Sequence, residues 1–386
     1  MKLHNKNGLT NSLLREIVRI LKVAIFLIPN LMGSCYRRVS VEYSGKRLMM
    51  IYDLSSQPFS VGDILVMQEA ALVLQKNFEL KKCDFAILYN PKRPAAGHKT
   101  FKTIDIESGL FHLASILPVA QINKNLGSIF SFDSRSQLEK YLRDNKRNLE
   151  VWPSNWKLNI TREYLYYAMF EELLLPFFYK NGYLPILESR KPLKDWAHKF
   201  YEEHSKNKFP VTINIRNNHF IHKHRNSNLD EWFKFFKNNE SRYPVKFFLI
   251  CAHSEVDDRF RALSNVIIVK DFHSTVEQDL SLIECSAIHM GTSSGPATIA
   301  WFSHNPYFIA NATLHIEHFS NENLLISVTK DTYKFAFAKT CQKFYAGKET
   351  AEILDRYLEE ALQIVEPVKF RSDDGFDMST SINWLR

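Results

Sequence analysis

Two apolar runs in this chain each stop at a group suited to holding an anion. Phe209-Pro-Val-Thr-Ile-Asn-Ile-Arg216 ends in an arginine, and Ala287-Ile-His-Met-Gly-Thr-Ser-Ser-Gly-Pro296 ends in a Gly/Ser turn. A guanidinium at the C-terminal end of a central strand matches phosphate oxygens bidentately, and open α/β sheets bind their ligands at that edge. In the turn, glycine lets backbone approach a ligand, and N–H groups at the start of the following helix favour negative charge. Thr292, Ser293, Ser294 and Thr298 place hydroxyl donors around Gly295, and Pro296 suits the first helical turn. Taken singly, Arg216 also reads as the partner of a sheet-edge carboxylate, and the turn as a plain helix cap. Together they favour a diphosphate held between them.

Other residues offer further chemistry. Arg225-Asn226-Ser227 opens the next helix and reads as a second phosphate or ribose contact, or equally as a solvated basic loop. Asp271 and His273 follow an apolar run and could touch a nucleoside, although such residues also simply end a strand. Asp63, just after Gly62, is the candidate general base for an inverting transfer, against the reading of a helix-start carboxylate favoured by the dipole; His98 and His112 are the fallback bases. His219, His222 and His224 resemble a metal cluster, but Lys223 and Arg225 beside them would repel a cation, so no metal site is expected. Gly291-x-Ser293-x-Gly295 matches the hydrolase elbow pattern, which requires an acid and then a histidine downstream. Only Glu317 precedes the last histidine, His318, and the order argues against serine hydrolysis.

These residues need a scaffold of alternating strands and helices. Arg47 to Tyr52, a helix from about Asp63 to Lys76 and Asp84 to Tyr89 form a β-α-β unit, which implies a parallel sheet covered by helices. Leu110 to Pro118 and Ser128 to Phe132 supply further elements, and Ser134 to Arg143 reads as helical. Trp152 to Trp156 reads as a turn and Thr161 to Tyr179 as one helix. A Pro-marked connection between about 181 and 208 divides the chain. Beyond it, strands are expected at 211–215, 245–251, 266–269, 287–290 and 307–310. Asn228 with Glu231, and Ser274 with Glu277, have capping-box spacing. A last helix, Glu349 to Ile364, could pack back across the domain boundary.

The 386 residues suffice for two domains, and 45% hydrophobic content is ordinary for a folded protein. The formal net charge of +8 favours anionic partners; without a basic block or binding motif, nucleic acid is not among those expected. Five scattered cysteines, Cys35, Cys83, Cys251, Cys285 and Cys341, form no C-x-x-C pair and fit a reducing cytosol. Residues 11–34 combine basic and apolar positions at helical spacing. The apolar stretch is too short to span a bilayer, and it reads as a helix packed on the body, as an interfacial helix, or as an export signal ending near Cys35.

Phe59-Ser-Val-Gly-Asp-Ile-Leu-Val-Met-Gln-Glu-Ala-Ala71, Pro210 to Arg216, Arg225-Asn-Ser-Asn-Leu-Asp-Glu-Trp232 and Met290 to Pro296 occur in this order. With them the chain resembles, over roughly residues 45 to 320, a bacterial family of glycosyltransferases from surface-polysaccharide enzyme sets, distantly fucosyltransferase-like. The resemblance implies an α/β, GT-B-like fold in which two Rossmann-like domains face a cleft. The units expected are an N-terminal helix segment (1–35), an acceptor domain (36–195), a nucleotide-sugar domain (196–345), and a C-terminal helix and tail (346–386). It also implies metal-independent transfer of a sugar from a nucleoside-diphosphate donor to a glycan or lipid-linked glycan acceptor. The protein would work in the cytoplasm, with peripheral contact to the inner membrane through residues 11–34, and without a further cofactor. The β-phosphate role of the strand arginine carries over to Arg216. Asn214 stands where the fucosyltransferase strand has histidine, and Asn218 and His219 where an acid often follows. A non-catalytic nucleotide- or glycan-binding module is the alternative.

Overall fold

The computed structural model describes residues 45–54, 61–89, 117–158, 162–218, 223–319 and 324–365. The expectations placed on residues 1–35, 110–116, His98, His112, His219, His222 and the tail past 365 lie outside them.

The first unit is built from β1 (Arg47–Asp53), α1 (Val61–Asn77), β2 (Cys83–Leu88), β3 (Leu126–Phe132), α2 (Arg135–Asp144) and β4 (Leu149–Trp152). Its four strands are parallel, in the order β3-β2-β1-β4. β1 and β2 are near-continuous apolar runs because both faces of a parallel sheet are covered. β4 has no counterpart in the sequence reading: four residues ending at Trp152 are too few to show alternation.

Three helices follow. α3 (Arg162–Met169) runs through a π turn, Phe170–Leu174, into α4 (Leu175–Asn181), and α5 (Lys191–Ser205) comes next. The 161–179 pattern reads as one helix, and the interruption has a local cause: Pro176 lacks an N–H and cannot complete the α ladder to Glu172.

The second unit contains β5 (Phe209–Asn214), α6 (Leu229–Asn238), β6 (Val245–Ile250), β7 (Val266–Ile268), α7 (Val276–Cys285), β8 (Ile288–Thr292), α8 (Thr298–Trp301), β9 (Tyr307–Ala310), α9 (Thr313–His318), β10 (Leu325–Ser327), β11 (Thr332–Phe335), β12 (Gln342–Tyr345) and α10 (Ala351–Val365). Its sheet order is β10-β11-β12-β9-β8-β5-β6-β7. The strands from β12 to β7 are parallel, and β10 and β11 add an antiparallel edge. From β5 the chain winds one way through β6 and β7, then crosses to β8 and β9 on the other side. The topological switch point therefore lies between β5 and β8.

Three expectations about helices are corrected. α7 is capped by Thr275 with Gln278, because Ser274 turns its hydroxyl to Asp279 at 2.5 Å. The Asn228 side chain does not cap α6; Glu231 instead accepts the Ala351 N–H at 2.9 Å, at the start of α10. α10 packs within the second unit: Leu354, Tyr357, Leu358 and Leu362 join Trp232, Phe236 and Phe308 in one apolar cluster.

The two units share one core. Leu65 of α1, Phe170 of the π turn, and Phe248, Trp301 and Phe335 of the second unit belong to one apolar cluster. α1 is buried continuously from Gly62 to Gln75, as expected for a helix covered on every side.

Candidate functional site

The C-terminal ends of β5 and β8 bring most of the anticipated residues together. Their close approach depends on Gly291, where an added Cβ would lie 2.5 Å from the Asn214 carbonyl oxygen. Arg216 sits two residues past β5, half-buried. Its backbone N–H donates to Ser227 Oγ at 3.0 Å, and the Ser227 N–H returns a bond to the Arg216 carbonyl at 2.8 Å. Thr292 Oγ1 donates to Glu349 Oε1 at 3.2 Å. The contact between Ser227 and Thr292 hydroxyls therefore runs with Ser227 as donor. One relay, Arg216 to Ser227 to Thr292 to Glu349, fixes the arginine's backbone.

The hydroxyls of the Gly/Ser turn point into the protein. Thr292, Ser293 and Ser294 are buried. Ser294 donates to Asn214 Oδ1, whose amide donates in turn to the Ile250 carbonyl at 2.8 Å, tying β8, β5 and β6 together. Arg225 Nη2 donates to the Ser293 carbonyl at 2.9 Å and to its Oγ at 3.3 Å. This geometry also removes the elbow reading. An elbow serine is exposed beside a base, whereas Ser293 is buried beside a guanidinium. The helix that the turn opens, α8, is a single turn, so its dipole is far weaker than the sequence reading supposed.

Asn226 clasps its loop, accepting from the Asn218 N–H at 3.0 Å and donating to the Asn218 carbonyl at 2.9 Å. Arg216 and Arg225 are therefore brought to one edge, each attached to the turn or its partner. Burial lowers the Arg216 pKa, and the nearby Glu255 carboxylate opposes the effect. The guanidinium remains charged, and its partial desolvation strengthens any pairing with an anion.

Five candidates fall elsewhere. Gly295 and Thr298 face the first unit: a Cβ on Gly295 would meet Val61 Cβ at 3.2 Å, and one on Gly62 would meet Thr298 Oγ1 at 2.9 Å. Asp63 is buried there and accepts from the Tyr166 hydroxyl. That is the arrangement of a helix-start carboxylate holding two elements together, the alternative to the general-base reading. Past β7, Asp271 is exposed in an ion pair with Arg261, and His273 ends the turn with a left-handed backbone, φ 56°. Both follow the strand-ending alternative. Among the described residues no cluster of His, Cys, Asp or Glu could hold a metal ion, and no helix is long and apolar enough to cross a membrane.

Sequence reasoning missed Glu349. It is fully buried, and its Oε1 accepts from the Asn228 N–H at 2.9 Å and Trp232 Nε1 at 3.0 Å as well as from Thr292. More than a hundred residues separate it from Asn228, and no local pattern marks it.

No family model matches the chain, and no curated protein matches it. Solved structures do. The ADP-heptose lipopolysaccharide heptosyltransferase II of E. coli is 12% identical over 82% of this chain and 99% of its own, with a TM-score of 0.50. A glycosyl transferase family 9 protein from Veillonella parvula is 11% identical over 70% of this chain and 83% of its own, with a TM-score of 0.44. The fucosyltransferase NodZ from Bradyrhizobium is 11% identical over 68% of this chain and 94% of its own, with a TM-score of 0.30. The heptosyltransferase II likeness joins the two mainly parallel sheets and the switch point already described: this chain has the GT-B fold, with two Rossmann-like units.

Proposed function

We propose that the protein is a glycosyltransferase that takes its sugar from a nucleoside-diphosphate donor held at the second unit. The observation carrying this reading is the meeting of Arg216, Arg225 and the 292–295 turn at the β5/β8 switch point, where open α/β sheets bind nucleotides. Charge develops on the departing diphosphate during transfer. The Arg225 guanidinium held on Ser293, and the Arg216 guanidinium on a backbone fixed by Ser227, would stabilise it. On this reading the arginines supply the positive charge, and transfer proceeds in the presence of a chelator. The hydroxyls of Thr292 and Ser294 act as scaffold rather than as ligands. The acceptor is a glycan of surface-polysaccharide type, presented on a lipid carrier that residues 11–34 would help the enzyme reach.

Calorimetric titration of the full chain with ADP, GDP, UDP and dTDP tests the pocket. At least one should bind, and Arg216→Ala should weaken it. No binding to any of the four would sink the proposal. A second reading, a binding module without transfer, draws on the burial of Asp63 against Tyr166, which leaves no proton acceptor assigned. Binding without diphosphate release from the matching sugar nucleotide, with acceptors supplied, would favour it.

A further inference from the structure

A groove of about 1240 Å³ lies between the units, on the side away from the β5/β8 switch point. It is lined by the last turn of α1, by residues leading into β2, β3, β9 and β12, and by the 182–188 connection. These are the N-terminal edges of both sheets, so the groove is not part of the diphosphate site. Leu72, Phe178, Leu184, Ile186, Phe302 and Phe337 make much of the lining apolar, and Tyr183 stands 51% exposed among them. Of the charged residues, Lys124 is paired with Glu188. Lys76, Lys81 and Lys339 then stand against one further acid, Glu79, which leaves a positive balance. The volume exceeds the roughly 300–1,000 Å³ of ordinary small-molecule sites and suits a stretch of polypeptide.

Both ends of the described fold open on this edge. At the start of β1 the Leu48 N–H donates to the Lys82 carbonyl at 3.0 Å, next to Lys81 of the groove. α10 starts near the switch point, where the Ala351 N–H meets Glu231, and runs back to the opposite edge. There the Tyr357 hydroxyl donates to the Cys341 carbonyl at 2.6 Å, and the Cys341 thiol meets Glu360 Oε1 at 3.5 Å. Cys341 lies between Lys339 and Gln342 of the groove. α10 covers the other face of the sheet, so the chain after Val365 must round the edge to enter. Residues 366–371 can reach about 20 Å when extended.

Charge separates the two candidate occupants. Residues 1–44 carry seven Lys and Arg against two Glu, and would meet lysines of their own sign. Residues 372–385 carry Asp373, Asp374 and Asp377 with no Lys or Arg, and also Phe376, Met378, Ile382, Trp384 and Leu385. We propose that residues 372–385 seat in this rear groove of their own chain, with the aspartates at Lys76, Lys81 and Lys339 and the aromatic side chains against Tyr183 and Phe337. Opposite charge and apolar burial would act together there. Because the segment is joined to the second unit through α10, and the groove has walls from both units, a seated tail straps the first unit to the second. The inference does not depend on the transfer activity proposed above.

The test treats the full chain with a carbodiimide, which joins a carboxylate to a lysine in direct contact, and maps the links by mass spectrometry. Links from Asp373, Asp374 or Asp377 to Lys76, Lys81 or Lys339 are expected, within one chain. Phe376→Ala with Trp384→Ala, and separately Tyr183→Ala on the groove side, should each lower their yield by about tenfold or more, the scale of losing buried aromatic side chains. The link between Lys191 and Asp195, a surface pair at 2.8 Å, should be unchanged and reports that the variants stay folded. Several results would overturn the proposal. These are no link from the three aspartates to the groove, links spread equally to lysines elsewhere such as Lys199 and Lys237, or a yield indifferent to both variants. Links from Glu16 to the groove lysines in their place would assign the groove to the N-terminal segment. Links found only between copies, in a mixture of ¹⁴N- and ¹⁵N-labelled chains, would replace the strap by self-association.

Discussion

Arg216 stands on a backbone held by Ser227 on both its N–H and its carbonyl. Truncating the side chain should therefore remove a guanidinium and leave the strand end in place. Charge-assisted hydrogen bonds contribute about 1.5–3 kcal/mol each. Arg216→Ala should weaken nucleoside-diphosphate binding by about 10- to 100-fold while the chain stays folded; calorimetry beside thermal denaturation separates the two effects. The arginine was legible from sequence because an apolar run names its own strand end. The fate of the serines was not, because whether a hydroxyl meets solvent or a neighbouring strand depends on residues such as Asn214 and Arg225, far off in the chain. His289 carries a second prediction at this scale. It lies fully buried in β8, its Nδ1 3.0 Å from Thr212 Oγ1, and burial lowers its pKa to about 3. The folded state then refuses a proton that the unfolded chain accepts below about pH 6.5. Stability falls as pH drops from there towards 3, by about 2 kcal/mol between pH 6.5 and 5 from this group alone. Urea unfolding at pH 7 and pH 5 should show the difference shrink by that amount in His289→Leu; an unchanged difference would assign the acid sensitivity to other groups.

α6 and α10 hold each other by their starts. Glu349, just before α10, takes the Asn228 N–H and the Trp232 indole, and Glu231 within α6 takes the Ala351 N–H. Glu349→Ala would strand the buried Trp232 indole N–H, release the Asn228 N–H and break the relay to Arg216. Leaving a buried donor unmet costs about 1–3 kcal/mol each. The urea midpoint should fall with an unchanged slope, and nucleotide affinity should fall with it; Glu349→Gln, which keeps an acceptor oxygen, should recover much of both. The apolar stripe of α6 was readable in advance, since Trp232 and Phe236 repeat at helical spacing and are both buried. The exchange of caps was not, because Asn228 and Glu231 fit a local box equally well and only the position of α10 decides. The β10-β11 edge escaped for another reason: its strands are three and four residues long and mostly partly exposed, so periodicity has little to register.

The units meet through glycines. Gly62 lies in the first turn of α1 of the first and Gly295 belongs to the turn of the second, with Val61 Cβ 3.2 Å and Gly62 N 3.3 Å from where a Gly295 Cβ would sit. Gly295→Ala must push this seam apart by a few tenths of an ångström, and overpacking of this kind costs about 1–3 kcal/mol. Because the turn also anchors Arg225 through Ser293, the variant should lose diphosphate affinity too; calorimetry and urea unfolding together would show whether the two losses coincide. The two-unit plan was legible from the Pro-marked connection and from each β-α alternation. Their joint core was not, because a sequence shows which helix faces are apolar but not which unit will cover them.

The enclosure of α1 has a consequence for synthesis. The helix is near the start of the fold, yet Trp301 and Phe335 of the same apolar cluster come more than two hundred residues later. A ribosome adding 5–20 residues per second would leave that surface uncovered for on the order of ten seconds or more. The nascent first half is thus a natural client for chaperones, and a fragment ending at residue 205 should be recovered as aggregate, whereas the full chain is recovered folded.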